Sequence, residues 1–130
     1  MENDYDFLII GGGGVGLAAA MYGARLGLKT IVFGSSSGIE LPIGGTITTT
    51  NLVENYPGFT KTSGIYLAKQ IEDHAKSYDL VTIKEEKVTD ITQKNKNFIV
   101  KTSKSTYLSK TILFATGSKL KKLDSLSKKI

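Results

Sequence analysis

Cysteine is absent from this 130-residue chain. Disulfides, thiolate metal sites and cysteine nucleophiles are therefore excluded within it. Histidine is nearly absent. The one residue, His74, rules out a multi-histidine metal site and leaves a Ser-His-Asp triad a single imidazole to recruit. No apolar run approaches the roughly 18 residues that a spanning helix needs. The opening Met-Glu-Asn-Asp-Tyr-Asp is acidic and has no basic residue before the first apolar run, which argues against a secretory leader and makes a cytoplasmic home the expectation. Positive charge is in excess, at +5, but it is concentrated: residues 118–130 hold five lysines and one aspartate, and so carry +4 of it. A lysine- and serine-rich end reads as a solvated tail, not a nucleic-acid surface.

What is present is ordinary for a globular domain, 40% hydrophobic and 22% charged, with enough length for one buried core. The informative stretch is Tyr5 to Leu17. An apolar run, Phe7 to Ile10, meets four consecutive glycines, and Gly11, Gly13 and Gly16 satisfy G-x-G-x-x-G. The order predicts a buried strand over Asp6–Ile10, then a helix from Gly14 to Leu26 whose apolar face is Leu17, Ala20, Met21 and Ala24. Gly27 ends the helix, and a second buried strand follows at Thr30–Phe33. Such a βαβ opening requires a parallel sheet. In that setting the first glycine permits the tight turn, the second lets backbone approach a pyrophosphate, and the third lets helix pack on strand. The helix start offers free N–H groups and partial positive charge to phosphates. Gly12 and Gly14 add freedom without being required. The acid that ordinarily bonds the ribose after the second strand is missing: Gly34 is followed by Ser35, Ser36 and Ser37, and the nearest acid is Glu40. Either a serine or Glu40 takes that contact, or affinity is reduced.

Residues 34–64 have no clear period and are predicted to form an ordered ligand loop, since Ile39, Leu41, Ile43, Ile47, Leu52, Val53, Tyr56 and Phe59 supply contacts. Thr62 or Ser63 caps a helix reaching about Tyr78, with Leu67, Ile71, His74 and Tyr78 on one face, so His74 reads as a structural residue of that face and not as a general base. Three short strands, Lys87–Ile91, Asn97–Lys101 and Thr106–Ser109, form a β-meander. A further buried strand, Thr111–Ala115, ends in Ala115-Thr116-Gly117. Glu85 and Glu86 are adjacent on an extended segment, point to opposite faces, and read as a solvated loop rather than a carboxylate pair.

Taken together, the glycine cluster, Gly44-Gly45-Thr46-Ile47-Thr48-Thr49-Thr50, Val53-Glu54-Asn55-Tyr56-Pro57-Gly58-Phe59, the meander and the final Ala-Thr-Gly resemble the FAD-binding domain of the thioredoxin reductase family over residues 5–117. The resemblance implies an α/β, Rossmann-like domain with a parallel sheet and a β-meander crossover over residues 1–117, and a tail or interdomain linker over 118–130. It places Gly11, Gly13, Gly14, Val15 and Gly16 on the FAD pyrophosphate, and Gly34, Ser35 and Glu40 near the ribose. Gly44, Gly45, Thr46 and Ile47 fall along the ribityl chain and flavin, and Asn55 on the isoalloxazine ring. Val88 supplies a backbone contact to adenine, and Ala115, Thr116 and Gly117 close over the cofactor. Thr46 stands where the family has glutamine, so one amide near the flavin is lost.

The family continues into an NADPH-binding domain with a Cys-X-X-Cys pair and returns with a Gly-Asp segment for the FAD; neither is in this sequence. The resemblance therefore implies a flavin module of a disulfide oxidoreductase, incomplete as an enzyme by itself, with NADPH expected only through a partner or missing domain. Several readings stand beside it: a subunit of a split enzyme completed by a second polypeptide, a truncated or decayed gene product whose domain folds but binds no cofactor, a stand-alone nucleotide-binding protein, or a flavin module like that of a ferredoxin–NADP reductase. A homodimer is compatible with all of them.

Overall fold

The computed structural model describes residues 3–34 and 42–118. Strand β1 (Asp4–Ile10) leads into helix α1 (Gly14–Arg25) and strand β2 (Thr30–Gly34), and a 3-10 helix, Gly45–Thr49, precedes helix α2 (Gly64–Lys76). Four strands complete the chain: β3 (Val81–Glu85), β4 (Val88–Lys94), β5 (Asn97–Thr102) and β6 (Thr106–Phe114). They form one sheet in the order β3-β2-β1-β6-β5-β4. Its first four strands are parallel, and β6, β5 and β4 run antiparallel to one another. The α/β architecture and the βαβ opening are as the sequence predicts.

The two faces of the sheet bury different clusters, as alternation along a strand requires. Ile9 and Val32 face α1 and pack with Ala20, while Leu8, Ile31 and Phe33 point the other way and pack with Tyr5, Val100 and Tyr107. Helix α1 can lie close because it presents Gly16, Ala20, Gly23 and Ala24 to the sheet. Gly27, at φ +84°, turns the chain out of the helix.

The ends of the sheet meet. Strands β3 and β4 are its opposite edges, yet only Glu86 and Lys87 separate them. Three peptide links span at most about 11 Å, so the sheet must curl until β4, β5 and the start of β6 cover the face that the helices leave bare. The cluster of Phe33, Val100 and Tyr107 is the interior of that curl.

Three sequence expectations change here. The sequence pattern places no strand at residues 81–85, although Val81-Thr82-Ile83 alternates; β3 is fixed by parallel pairing with β2, Thr30 opposite Val81 through Gly34 opposite Glu85. The strands expected at Thr106–Ser109 and Thr111–Ala115 are a single strand. Ser109-Lys110 imitates a turn, but Ser109 is buried, and Lys110 reaches out to Asp6 at 2.7 Å. That pair holds the Asp6 carboxyl below its usual range, helped by the Lys29 N–H, and raises Lys110. His74 is exposed beside the ring of Tyr78, 6.1 Å away, because the buried side of α2 is Gly64, Leu67, Ala68 and Ala75. Ser63 caps α2, its Oγ accepting from the Tyr66 N–H at 3.2 Å.

Glu86 is the fourth correction and the largest. It is 7% exposed, not solvated. Its carboxylate accepts from Thr102 Oγ1 at 2.6 Å and from the Tyr107 hydroxyl at 3.1 and 3.2 Å. Burial, reinforced by the Glu86 carboxylate, pushes the Tyr107 hydroxyl up to about 12. The unfolded chain titrates this group near 10. Its contribution to stability is therefore complete below about pH 10 and lost as pH rises to about 12. Thermal melts across that interval should show a falling midpoint, and Tyr107→Phe should remove that part of the fall. An unchanged alkaline slope in the variant would contradict the assignment.

Candidate functional site

Three segments far apart in sequence converge at the carboxyl end of the parallel strands. The turn Gly11–Gly13 leaves β1. Gly11 sits at φ +122°, and a Cβ there would overlap the carbonyl oxygen of Ala115. Its N–H donates to the Phe33 carbonyl at 2.8 Å, while the Ala115 N–H donates to the Ile10 carbonyl at 2.8 Å. At Gly16 a Cβ would overlap the Gly11 carbonyl oxygen and stand 3.2 Å from Ile9 Cγ2. This turn–helix contact is backbone on backbone.

The loop before the 3-10 helix completes the cradle. The Gly44 N–H donates to the Gly12 carbonyl at 2.7 Å, and Gly13 and Gly44 form a parallel bridge. Gly12 is buried; a Cβ on it would lie 2.6 Å from Ile43 Cδ1 and 3.1 Å from the Gly34 Cα. On Gly13 a Cβ would meet nothing nearer than 3.8 Å, so this residue borders open space.

That space is at the start of α1. Gly13 is the N-cap, no side chain caps the helix, and its first turn has no acid. The first intrahelical bond runs from the Leu17 N–H to the Gly13 carbonyl. The N–H groups of Gly14, Val15 and Gly16 precede it and have no helical partner. An uncapped N-terminus carries about half a positive charge and suits an anion.

Of the residues singled out from sequence, Gly11, Gly13, Gly14, Gly16, Gly34, Gly44, Gly45, Ala115 and Thr116 are brought together here. Val15 stands at the rim, 74% exposed. Thr46 and Ile47 follow in the 3-10 helix, where the Thr46 carbonyl accepts from Thr49 Oγ1. Asn55 is exposed in the loop between bridged Val53 and Thr62. Gly117 is exposed at φ +70°. Val88 begins β4 and packs on the interior of the curl. Ser35 and Glu40 lie outside the described residues. Ile43, expected from sequence only as one of the loop's apolar contacts, sets its Cδ1 against Gly12 and Gly34; its place directly before Gly44 was the available signal for a role at the site.

The pyridine nucleotide-disulphide oxidoreductase family model matches residues 5–128. The chain belongs to that family. Within this family it is most informatively compared with thioredoxin reductases: it is 37% identical over 119 residues to that of Peptoclostridium acidaminophilum, covering 91% of this chain and 36% of the relative. The crystal structure of thioredoxin reductase from Streptococcus pyogenes superposes with a TM-score of 0.85 at 31% identity, over 95% of this chain and 39% of the other. A ferredoxin-flavin thioredoxin reductase from Clostridium acetobutylicum gives 0.77 at 31%, over 92% and 40%. The chain thus spans less than half the length of these relatives. It is a thioredoxin reductase-like, Rossmann-type domain of this oxidoreductase family. Among the described residues, no helix is long and apolar enough to cross a membrane.

Proposed function

We propose that this domain binds FAD and serves as the flavin module of a thioredoxin reductase-like disulfide oxidoreductase. The observation that carries the reading is the uncapped start of α1, walled by Gly44 on one side and by Ala115 behind Gly11. The donor set fits a pyrophosphate: backbone N–H groups, a helix dipole, no acid in the first turn, and glycines where side chains would fill the approach.

On this reading Gly11, Gly13, Gly14, Val15 and Gly16 hold the pyrophosphate. Gly34, with Ser35 or Glu40, borders the ribose, and Gly44, Gly45, Thr46 and Ile47 line the ribityl chain. Asn55 reaches the flavin ring, Val88 the adenine, and Ala115, Thr116 and Gly117 close the site, so that residues 1–117 make up the FAD domain. When bound, FAD supplies hydride and electron transfer that no side chain here provides. The protein's part is to bind, orient and shield. A dithiol must come from another domain or a second polypeptide, because this sequence has no cysteine; NADPH is expected to enter with it. The setting we propose is cytoplasmic, and self-association as a dimer is compatible with it.

Calorimetric titration with FAD and with NADP distinguishes this from a nicotinamide-nucleotide binder. FAD should bind at least about tenfold more tightly, roughly 1.4 kcal/mol. Tighter binding of NADP would overturn the reading.

A further inference from the structure

The two-residue link that joins the edges of the curled sheet is held by an unusual set of bonds. Glu86 is buried, and its carboxylate ties the link to β5 through Thr102 and to β6 through Tyr107. Thr102 Oγ1 in turn accepts from the N–H groups of Lys104 and Ser105. The Lys87 carbonyl accepts from the Ser103 N–H at 2.8 Å. Just past the link, the β4–β5 register shifts between Val88 and Asp90. Tyr107 is 4% exposed and sets its ring edge against Phe33 at 4.8 Å, and the Phe33 carbonyl is the acceptor for the Gly11 N–H. A continuous path of contacts therefore runs from Glu86 to the glycine turn.

Position gives the link a role. Where strands run parallel, as β3, β2, β1 and β6 do, a dinucleotide lies across their carboxyl ends. If the phosphates rest on α1, its nucleoside extends over the end of β2. Strand β2 ends at Gly34, which is paired with Glu85 at the end of β3, and Glu86 and Lys87 follow immediately. The link is thus the backbone that a purine meets beyond the ribose. A pyrimidine is one ring shorter.

From this we infer that Glu86 is a positioning residue for the adenine end of the cofactor: its buried carboxylate fixes the link against Thr102 and Tyr107, and so sets where the link's backbone meets the purine. The inference rests on the flavin reading above. A loosened link would still leave the helix start and the ribose surroundings in place. The loss should therefore fall on the base and not on the diphosphate.

The test compares ADP and UDP, which share ribose and diphosphate, by titration against the full chain and its Glu86→Ala, Glu86→Gln and Tyr107→Phe variants. Each variant is first melted to confirm that it folds. The unmodified chain should favour ADP over UDP by about tenfold. Glu86→Ala should bring the two nearly equal by weakening ADP alone. Glu86→Gln, which keeps one acceptor oxygen, and Tyr107→Phe should each give a partial loss, and they carry the test if Glu86→Ala does not fold. ADP and UDP weakened in proportion, or neither weakened, would overturn the inference while FAD binding by the unmodified chain stands. A chain that binds FAD with no preference for ADP overturns it as well. If the unmodified chain takes up no FAD at all, the flavin reading falls and this inference falls with it.

Discussion

Replacing Val15 by aspartate should cut FAD affinity by roughly two orders of magnitude while leaving the apo-domain as stable as before, or slightly more so. Val15 is the second residue of α1 and is 74% exposed, so the new carboxylate displaces no packing. Near a helix N-terminus an acid is favourable by about 0.3–1 kcal/mol. The same charge stands where a pyrophosphate must sit. At about 4 Å and an effective dielectric near 20, like charges repel by about 4 kcal/mol, part of which salt screens. A net loss of about 2–3 kcal/mol, or roughly 30- to 150-fold, follows. Chemical denaturation and a flavin titration on the same preparation check both signs. Lost stability with unchanged affinity would place the ligand elsewhere.

The second large effect has the opposite signature. Gly16→Ala should damage fold and binding together. Its methyl would overlap the Gly11 carbonyl oxygen and come within 3.1 Å of that carbonyl carbon. No rotamer change relieves a clash with backbone, so the helix must shift off β1. Overpacking of this kind costs about 1–3 kcal/mol and sometimes more; this site belongs at the upper end, a fall in melting temperature of roughly 10 °C for a small domain. Because the Gly11 turn and the start of α1 move relative to each other, FAD affinity should fall with it. Melts of the apo-protein and flavin titrations provide the measurement. A variant as stable as the parent would show that helix and turn are not in this contact.

These two residues also show what the sequence could reveal. The glycine spacing, the apolar run ahead of it and the helix behind it are local signals, and they located the turn, α1, β2 and the parallel pairing. Gly44 and Ala115 were visible only through resemblance, since their closure on Gly12 and Gly11 is a tertiary contact between segments more than thirty residues apart. Strand β3 went unseen because it is short and marginally apolar; its partner β2 makes it a strand. Glu86 was misread for a related reason. A glutamate between two strands is usually solvated, and nothing local announces that Thr102 and Tyr107 arrive from two other strands to accept it into the interior. The curl of the sheet, which decides this, is a property of the whole topology.

Whether FAD rests on the start of α1 can be measured directly. The purified chain is incubated with excess FAD, passed through a gel-filtration column, and scanned for visible flavin absorbance in the protein peak, with the Val15→Asp variant alongside. The parent chain should give a yellow protein peak and the folded variant a colourless one. A colourless parent, or equal colour in both, would contradict binding at that helix start.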